Sequence, residues 1–472
     1  MKKICLLLIL LVSCICPSLS QTVLSAHKLE LKKPWDSQQL LSATDPGSKQ
    51  FFVFAADKEK VTVQKYNSAF FYRDSITMTR PERNYSFMAG YSFDQNANPT
   101  LYWASENFTK ILSTSYNFND HTTVPKAFAF SFDKETLLNS FTENGVFYIL
   151  TLVDAEPKLI LYAFKGDAPE QHILDFSSFT FENDRGEKIK LPELLEVWPF
   201  EKMESISQNT LRSVVAKSKL YMNSSKLVLT FDHNSKYTQL FDIDITSNEI
   251  REFKILQPKV RNIAGSNSFY SDGTIYQLRL NEEEMALSAV KVDDNDKSVL
   301  YKIGVNDTID FKNSPLLLQI ADQNPVELKT TRKFLHRLAG SNLGVSAYQA
   351  PGGLLLTVGG VRNYRSAGNI ILGATLGLGM MAEGGSVDTI ENVIGPGSVQ
   401  SVFFESLFDE DFQHLDIEQQ PLGTDFLSQF LADNDHISLY NLNGFAGHSV
   451  LAYYDPKLKQ VILRKFSDGR QN

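Results

Sequence analysis

Cysteine is nearly missing from this chain: of 472 residues only Cys5, Cys14 and Cys16 carry a thiol, and all three lie within the first twenty positions. Beyond them a cysteine nucleophile, a thiolate metal site and a disulfide are excluded together. The remainder has to be held by burial alone, and a chain of this length has interior enough for that. Long apolar runs are equally scarce. The run Leu6 to Val12 follows Met1-Lys2-Lys3 and leads to small residues at Ser18 and Ser20. It falls short of the roughly 20 residues that a membrane span requires. These are the three parts of a secretory signal, and they predict cleavage between Ser20 and Gln21. The expected mature chain is secreted or periplasmic, begins at Gln21 and has no transmembrane segment. A second processing route is written in Leu11-Val12-Ser13-Cys14, which resembles a lipobox. By that route Cys14 is acylated and the protein becomes an outer-membrane lipoprotein. The residues after Cys14 are still apolar, and Ser18-Leu19-Ser20 stands at a conventional distance, which favours cleavage.

A basic stripe is also lacking. Net charge is −9 and the lysines and arginines are scattered, which argues against nucleic acid as a partner. No zinc-helix spacing joins any two of His27, His121, His172, His233, His336, His414, His436 and His448, and each reads as a surface or turn residue. Gly377-Leu378-Gly379-Met380-Met381-Ala382 has the letters of a dinucleotide fingerprint without the strand and helix that make it work. Asp293-Asp294-Asn295-Asp296 suggests calcium, yet the sixth and twelfth positions counted from Asp294 are Val299 and Val305, where such a loop needs glycine and glutamate. No cofactor and no metal is expected, and no serine nucleophile elbow occurs. Sequons at Asn84, Asn107, Asn223 and Asn306, and Asp-Ser/Thr-Ile triplets at Asp74, Asp307 and Asp388, read as ordinary turn composition.

What the chain does have is short apolar or alternating runs separated by Asn, Asp, Gly, Lys and Pro, the pattern of strands and turns. Six pairs stand out as hairpins: Phe51 to Ala55 with Val61 to Lys65, Thr100 to Trp103 with Ile111 to Ser115, and Val146 to Val153 with Leu159 to Phe164. Lys226 to Phe231 with Gln239 to Ile243, Thr274 to Leu278 with Ala286 to Val292, and Val450 to Tyr454 with Gln460 to Lys465 follow. They recur about every 40 to 60 residues, the range of one propeller blade. With Tyr91-Ser92-Phe93-Asp94, Phe130-Ser131-Phe132-Asp133 and Ser271-Asp272-Gly273-Thr274-Ile275-Tyr276 as repeat-like pieces, the chain resembles secreted bacterial β-propeller proteins. The resemblance covers roughly 50–467 and implies an all-β propeller of six or seven blades. A two-domain β-sandwich is the alternative. His436 to Phe466 forms the last blade, which a strand near Val23 to Leu31 could complete.

The expected organisation is a signal peptide at 1–20, an N-terminal segment at 21–49, a propeller-like domain at 50–467 and a tail at 468–472. Leu422 to Asp433 predicts one short helix after a Thr424 or Asp425 cap. The segment 362–398 is glycine-rich and reads as an insertion within a blade. Ile370, Ile371, Leu372, Leu376, Leu378, Met380 and Met381 make it too apolar for a solvated linker, so they are candidates for a flap or a partner contact. Two functions are compatible with these residues. One is a non-enzymatic exported protein that binds a protein or glycan through propeller loops. The other is a propeller hydrolase or lyase with carboxylates converging at the axis.

Overall fold

The six apolar hairpins become the middle strands of six of seven four- or five-stranded sheets. The computed structural model describes residues 21–33, 37–129, 134–165, 168–205, 207–320, 323–363 and 399–469. Blade 1 is built from Gln39–Thr44, Phe51–Ala56, Lys60–Tyr66 and Tyr72–Thr79, in order from the axis outward, and blades 2 and 3 repeat this meander from Phe87 to Ala129 and from Glu135 to Asp175. Its innermost strand begins at Gln39, so the first blade starts inside the segment 21–49 that the sequence had set apart.

Each second strand is buried on both faces, because each blade packs against two others. In Phe51–Ala56 every residue is buried. Phe51, Val53 and Ala55 join the core shared with blade 7, whereas Phe52, Phe54 and Ala56 join the core shared with blade 2. Successive side chains of a strand point to opposite faces, so one short apolar run supplies two interfaces. The same alternation splits Pro99–Ala104, with Leu101 and Trp103 on one side and Tyr102 and Ala104 on the other. Cores of this kind continue between blades 3 and 4, 4 and 5, and 5 and 6. Blades 6 and 7 are joined differently. The helix Gly423–Asp433 fills their seam, with Leu422 packed among Ala350, Leu355 and Leu407 of blade 6, and Leu427, Phe430 and Leu431 packed on blade 7. Its N-cap is Leu422, whose N–H donates to the Asp425 carboxylate one turn in, so Asp425 caps by reaching back.

The ring closes through the N-terminal strand. Gln21–Lys28 lies antiparallel on Gln460–Phe466 and forms the outer strand of blade 7, with Gln21 opposite Phe466 and Lys28 opposite Gln460. His27 then stacks on Tyr72 of blade 1 at 3.6 Å, which ties the outer edges of the first and last blades. This closed ring of seven sheets rules out the two-sandwich alternative.

Second strands begin at Phe51, Pro99, Val146, Lys226, Thr274, Gly353 and His448, so three intervals exceed the expected rhythm. Added elements fill them. Before blade 4 come the helices Leu191–Val197 and Leu211–Val214 and a strand, Phe200–Met203, which lies parallel to the inner strand Ser218–Asn223 on its axial side. Blade 6 takes its outer strand, Leu317–Ile320, from chain that precedes its inner strand Asn342–Ala350. Residues 364–398 leave from the far end of its second hairpin, where Asn363 pairs with Val399. Arg362 and Asn363 therefore belong to a blade strand and not to the insertion.

Candidate functional site

Polar side chains line the axis because inner strands have no neighbouring sheet to face there. Ser42 of blade 1 donates to the Asn441 amide oxygen of blade 7 through both N–H (2.9 Å) and Oγ (2.7 Å). Thr44 Oγ1 donates to Asn443 Oδ1 at 2.8 Å. Blades 3 and 4 meet at a charged clasp. Lys202, on the added strand Phe200–Met203, donates to Glu143 Oε2 at 3.0 Å and to Glu204 Oε2 at 3.2 Å, while Ser205 Oγ donates to the other oxygen of Glu143. Burial alone would lower the Lys202 pKa, but Glu204 and Glu143 outweigh it and hold the ammonium above its usual range. Both carboxylates are thereby committed to one cation.

Of the clasp, Glu204 and Ser205 reach the floor of a cavity of about 580 Å³ at one mouth of the ring, with Lys202 and Glu143 behind them. Its walls are the ends of inner strands and the tight turns that follow them in blades 4 to 7. Asn223, Tyr270, Tyr348, Gln349, His448 and Lys465 face it from four different blades. Asp272-Gly273 and Ala446-Gly447 keep φ positive at both turn residues, 44° and 75° in the first and 46° and 80° in the second. This is the two-residue geometry whose twist matches the strands it joins, and glycine takes its second position without strain. Tyr348 Oη donates to Asp468 Oδ2 at 2.6 Å, which links blade 6 to the end of blade 7. His448 Nε2 is buried without a hydrogen-bond partner among the described residues. Burial, and then the nearby Lys465 ammonium, push its pKa down, so the ring is neutral at pH 7.

A second cavity of about 840 Å³ adjoins the first on the other side of the Asp272-Gly273 turn. Ser271, Asp272, Gln349 and Leu354 line both. Its wall also includes Lys291, Gly352, Gly353, the segment Phe408 to Phe412 and an apolar side made by Tyr276, Ala289, Val299 and Leu415.

The residues singled out from sequence fall elsewhere. Ile370, Ile371, Leu372, Leu376, Leu378, Met380 and Met381 lie outside the described residues, as do Ser20 and Cys14. The strand that carries their segment, Gly353–Asn363, is eleven residues long. At about 3.3 Å per residue, the point where the segment leaves is roughly 33 Å of strand from Gly353 and the cavity. Gln21 opens the closing strand, with its Nε2 donating to the Phe426 carbonyl at 3.3 Å. Of the histidines, His448 alone lines the cavities among the described residues, and there no three His, Cys, Asp or Glu side chains are grouped to hold a metal. Val292 and Asp293 form the turn of a hairpin in which Lys291 pairs with Asp294. Sequence reasoning passed over Lys202, Glu143 and the mouth turns. The only local marks were Asn144-Gly145 and Asp272-Gly273, both strong hairpin dipeptides.

No protein family and no curated protein matches the chain. Among solved structures it is similar to the β-propeller domain of Myceliophteria thermophila Cps50 (Swd1), with 10% identity, 93% of this chain and 99% of that one covered, and a TM-score of 0.29. It is also similar to an ACO/RPE65 chimera, with 9% identity and a TM-score of 0.29 over 56% of this chain and 62% of that one. AofleA from Arthrobotrys oligospora matches at 9% identity and a TM-score of 0.23, over 72% and 83% of the two chains.

Proposed function

We propose that this propeller is an exported, non-enzymatic binding protein that recognises a protein or glycan through the mouth formed by the inner turns of blades 4 to 7. The observation that carries the reading is the Lys202 clasp. Catalysis by paired carboxylates needs one acid or base free to exchange a proton with a substrate. Glu143 and Glu204 instead share an ammonium held charged, with side chains of Lys202 and Glu143 only 11% exposed. Around that floor stand hydroxyls, amides and tyrosines from separate blades, the mixture of polar anchors and amphipathic rings found in recognition sites. Export is supported by the signal-like N-terminus, with its basic start, apolar run and small residues at Ser18 and Ser20.

The test is a panel of soluble saccharides and peptides offered to the mature protein and to Asn223→Arg, which places a long cationic side chain over the mouth from an exposed turn. A ligand bound by the parent and lost in the variant, with the melting temperature unchanged, supports the reading. A ligand bound equally by both moves recognition elsewhere. The hydrolase or lyase reading draws on the two carboxylates themselves, since Glu204 opens onto the cavity. Release of new chain ends from a polysaccharide, abolished by Glu204→Gln, would replace binding with catalysis.

A further inference from the structure

We infer that the two adjoining cavities form one groove, and that its ligand is a neutral oligosaccharide lying across the Asp272-Gly273 turn. The inference rests on the binding reading above and gives the ligand a chemical class. The two hollows, of about 580 and 840 Å³, share Ser271, Asp272, Gln349 and Leu354 as a common wall. A single compact ligand would leave one lobe empty, whereas a chain of several units fills both.

The lining chemistry selects among chains. Gln349 and Asp272 are exposed on the ridge between the lobes. Neither side chain is engaged in a described hydrogen bond, so together they present a primary amide and a carboxylate to a ligand. Such groups can each accept from a hydroxyl, and the amide also donates. Sugar hydroxyls do both, while the apolar face of a sugar ring can rest against Tyr270 or Leu354. A peptide bound as an added strand needs a length of open strand edge. The inner strands of blades 5 to 7 are end strands of their sheets, but only their last residues and the turns after them reach the groove, so no length of open edge lies along the ligand path. An anionic polymer meets the wrong sign. Asp272, Asp409, Glu410 and Asp411 all line the second lobe, against one lysine, Lys291. Asp409 is already spent on the turn that follows it, accepting from the N–H groups of Asp411 and Gln413.

Calorimetric titration of the mature protein with neutral gluco-, manno- and N-acetylglucosamine oligosaccharides of one to six units tests the groove, with an alginate oligomer and a mixed peptide library alongside. Affinity for one neutral series should rise with each added unit and then level once both lobes are filled. Asp272→Gly, which accepts the positive φ of the turn, and Gln349→Ala should each weaken binding about tenfold, the cost of one polar contact to a ligand hydroxyl. Both residues are exposed, so melting temperature should not move. Affinity that does not depend on length, preference for the alginate oligomer, or no saccharide binding at millimolar concentration overturns the inference. A peptide that binds and is lost in Asn223→Arg overturns the glycan and keeps the binding mouth. A ligand indifferent to Asn223→Arg removes the mouth itself.

Discussion

Lys202 draws together two acids that the chain keeps apart, one of them 59 positions away, so nothing local in the sequence marks it. The pairing makes a sharp stability prediction. Lys202→Met leaves Glu143 buried without its cation while Glu204 can turn to the cavity, and loss of one partner of a buried ion pair costs about 3 kcal/mol or more. Urea unfolding should show that loss, and Glu143→Gln added to Lys202→Met should recover part of it. A second buried lysine behaves oppositely with pH. Lys219 donates to Asp232 at 3.2 Å and to Asn267 at 2.6 Å, with no exposure of either charged side chain. Burial lowers its pKa from 10.5 to about 8, and the Asp232 carboxylate offsets only part of that. Between those two values the unfolded chain binds a proton that the folded chain has released, so stability rises with pH across this window. The gain is on the order of 2 kcal/mol. Above about pH 10 buried tyrosines such as Tyr66 and Tyr116 reverse the slope, because burial raises their pKa and the unfolded chain loses those protons first. Urea midpoints taken from pH 7 to 10 should climb in the parent and climb less steeply in Lys219→Met, where the slope that remains belongs to Lys217, also lowered by burial.

At the scale of strands and helices, legibility followed burial. The six hairpins found by pattern are the middle strands of six blades, where both faces are covered and apolar residues run together. Inner strands carry Ser42, Thr44, Asn441 and Asn443 toward the axis, and outer strands such as Tyr72–Thr79 fully bury only one residue, Ile76, so neither reads clearly as a strand. Blade 6 was missed because residues 364–398 divide its hairpin, placing Gly353–Asn363 and Val399–Phe408 too far apart to pair by eye. The mouth was invisible for a related reason, since its walls are turns drawn from four blades. That blade also offers a clean deletion. Joining Asn363 to Val399 through Asn-Gly keeps their register, and a two-residue turn of this type suits paired antiparallel strands. Melting temperature should stay within a few degrees of the parent, because peripheral loop length has a small effect on stability. Global unfolding after the replacement would mean that the segment packs into the ring. Removal of Gln21–Lys28 should do far more, since it bares the edge of Gln460–Phe466. Size-exclusion chromatography should then report self-association, relieved by adding the eight-residue peptide in trans.

As a whole molecule the chain from Gln21 onward is a ring without a covalent cross-link, because every cysteine precedes Gln21. Its melting temperature should therefore be the same with and without strong reductant, and a drop on reduction would mean that cysteine survives processing. Intact mass of exported material should place its first residue at Gln21, whereas fatty-acid labelling of Cys14 would put the protein on a membrane. Cyclisation of Gln21 to pyroglutamate would consume the amide nitrogen that now donates to Phe426, so the cyclised form should be slightly less stable than the open one. The closing strand also decides how the molecule would answer to load. Gln21 sits opposite Phe466 and Lys28 opposite Gln460, so both ends of the folded chain leave from the same end of one antiparallel pair. Tension between them peels that pair open one rung at a time, whereas tension between Lys28 and the C-terminus must slide the whole ladder at once. In an optical trap the first geometry should yield at clearly lower force than the second. A copy of this protein stretched by its two ends, between a surface and a moving fluid, would come apart first along the seam that makes it a ring.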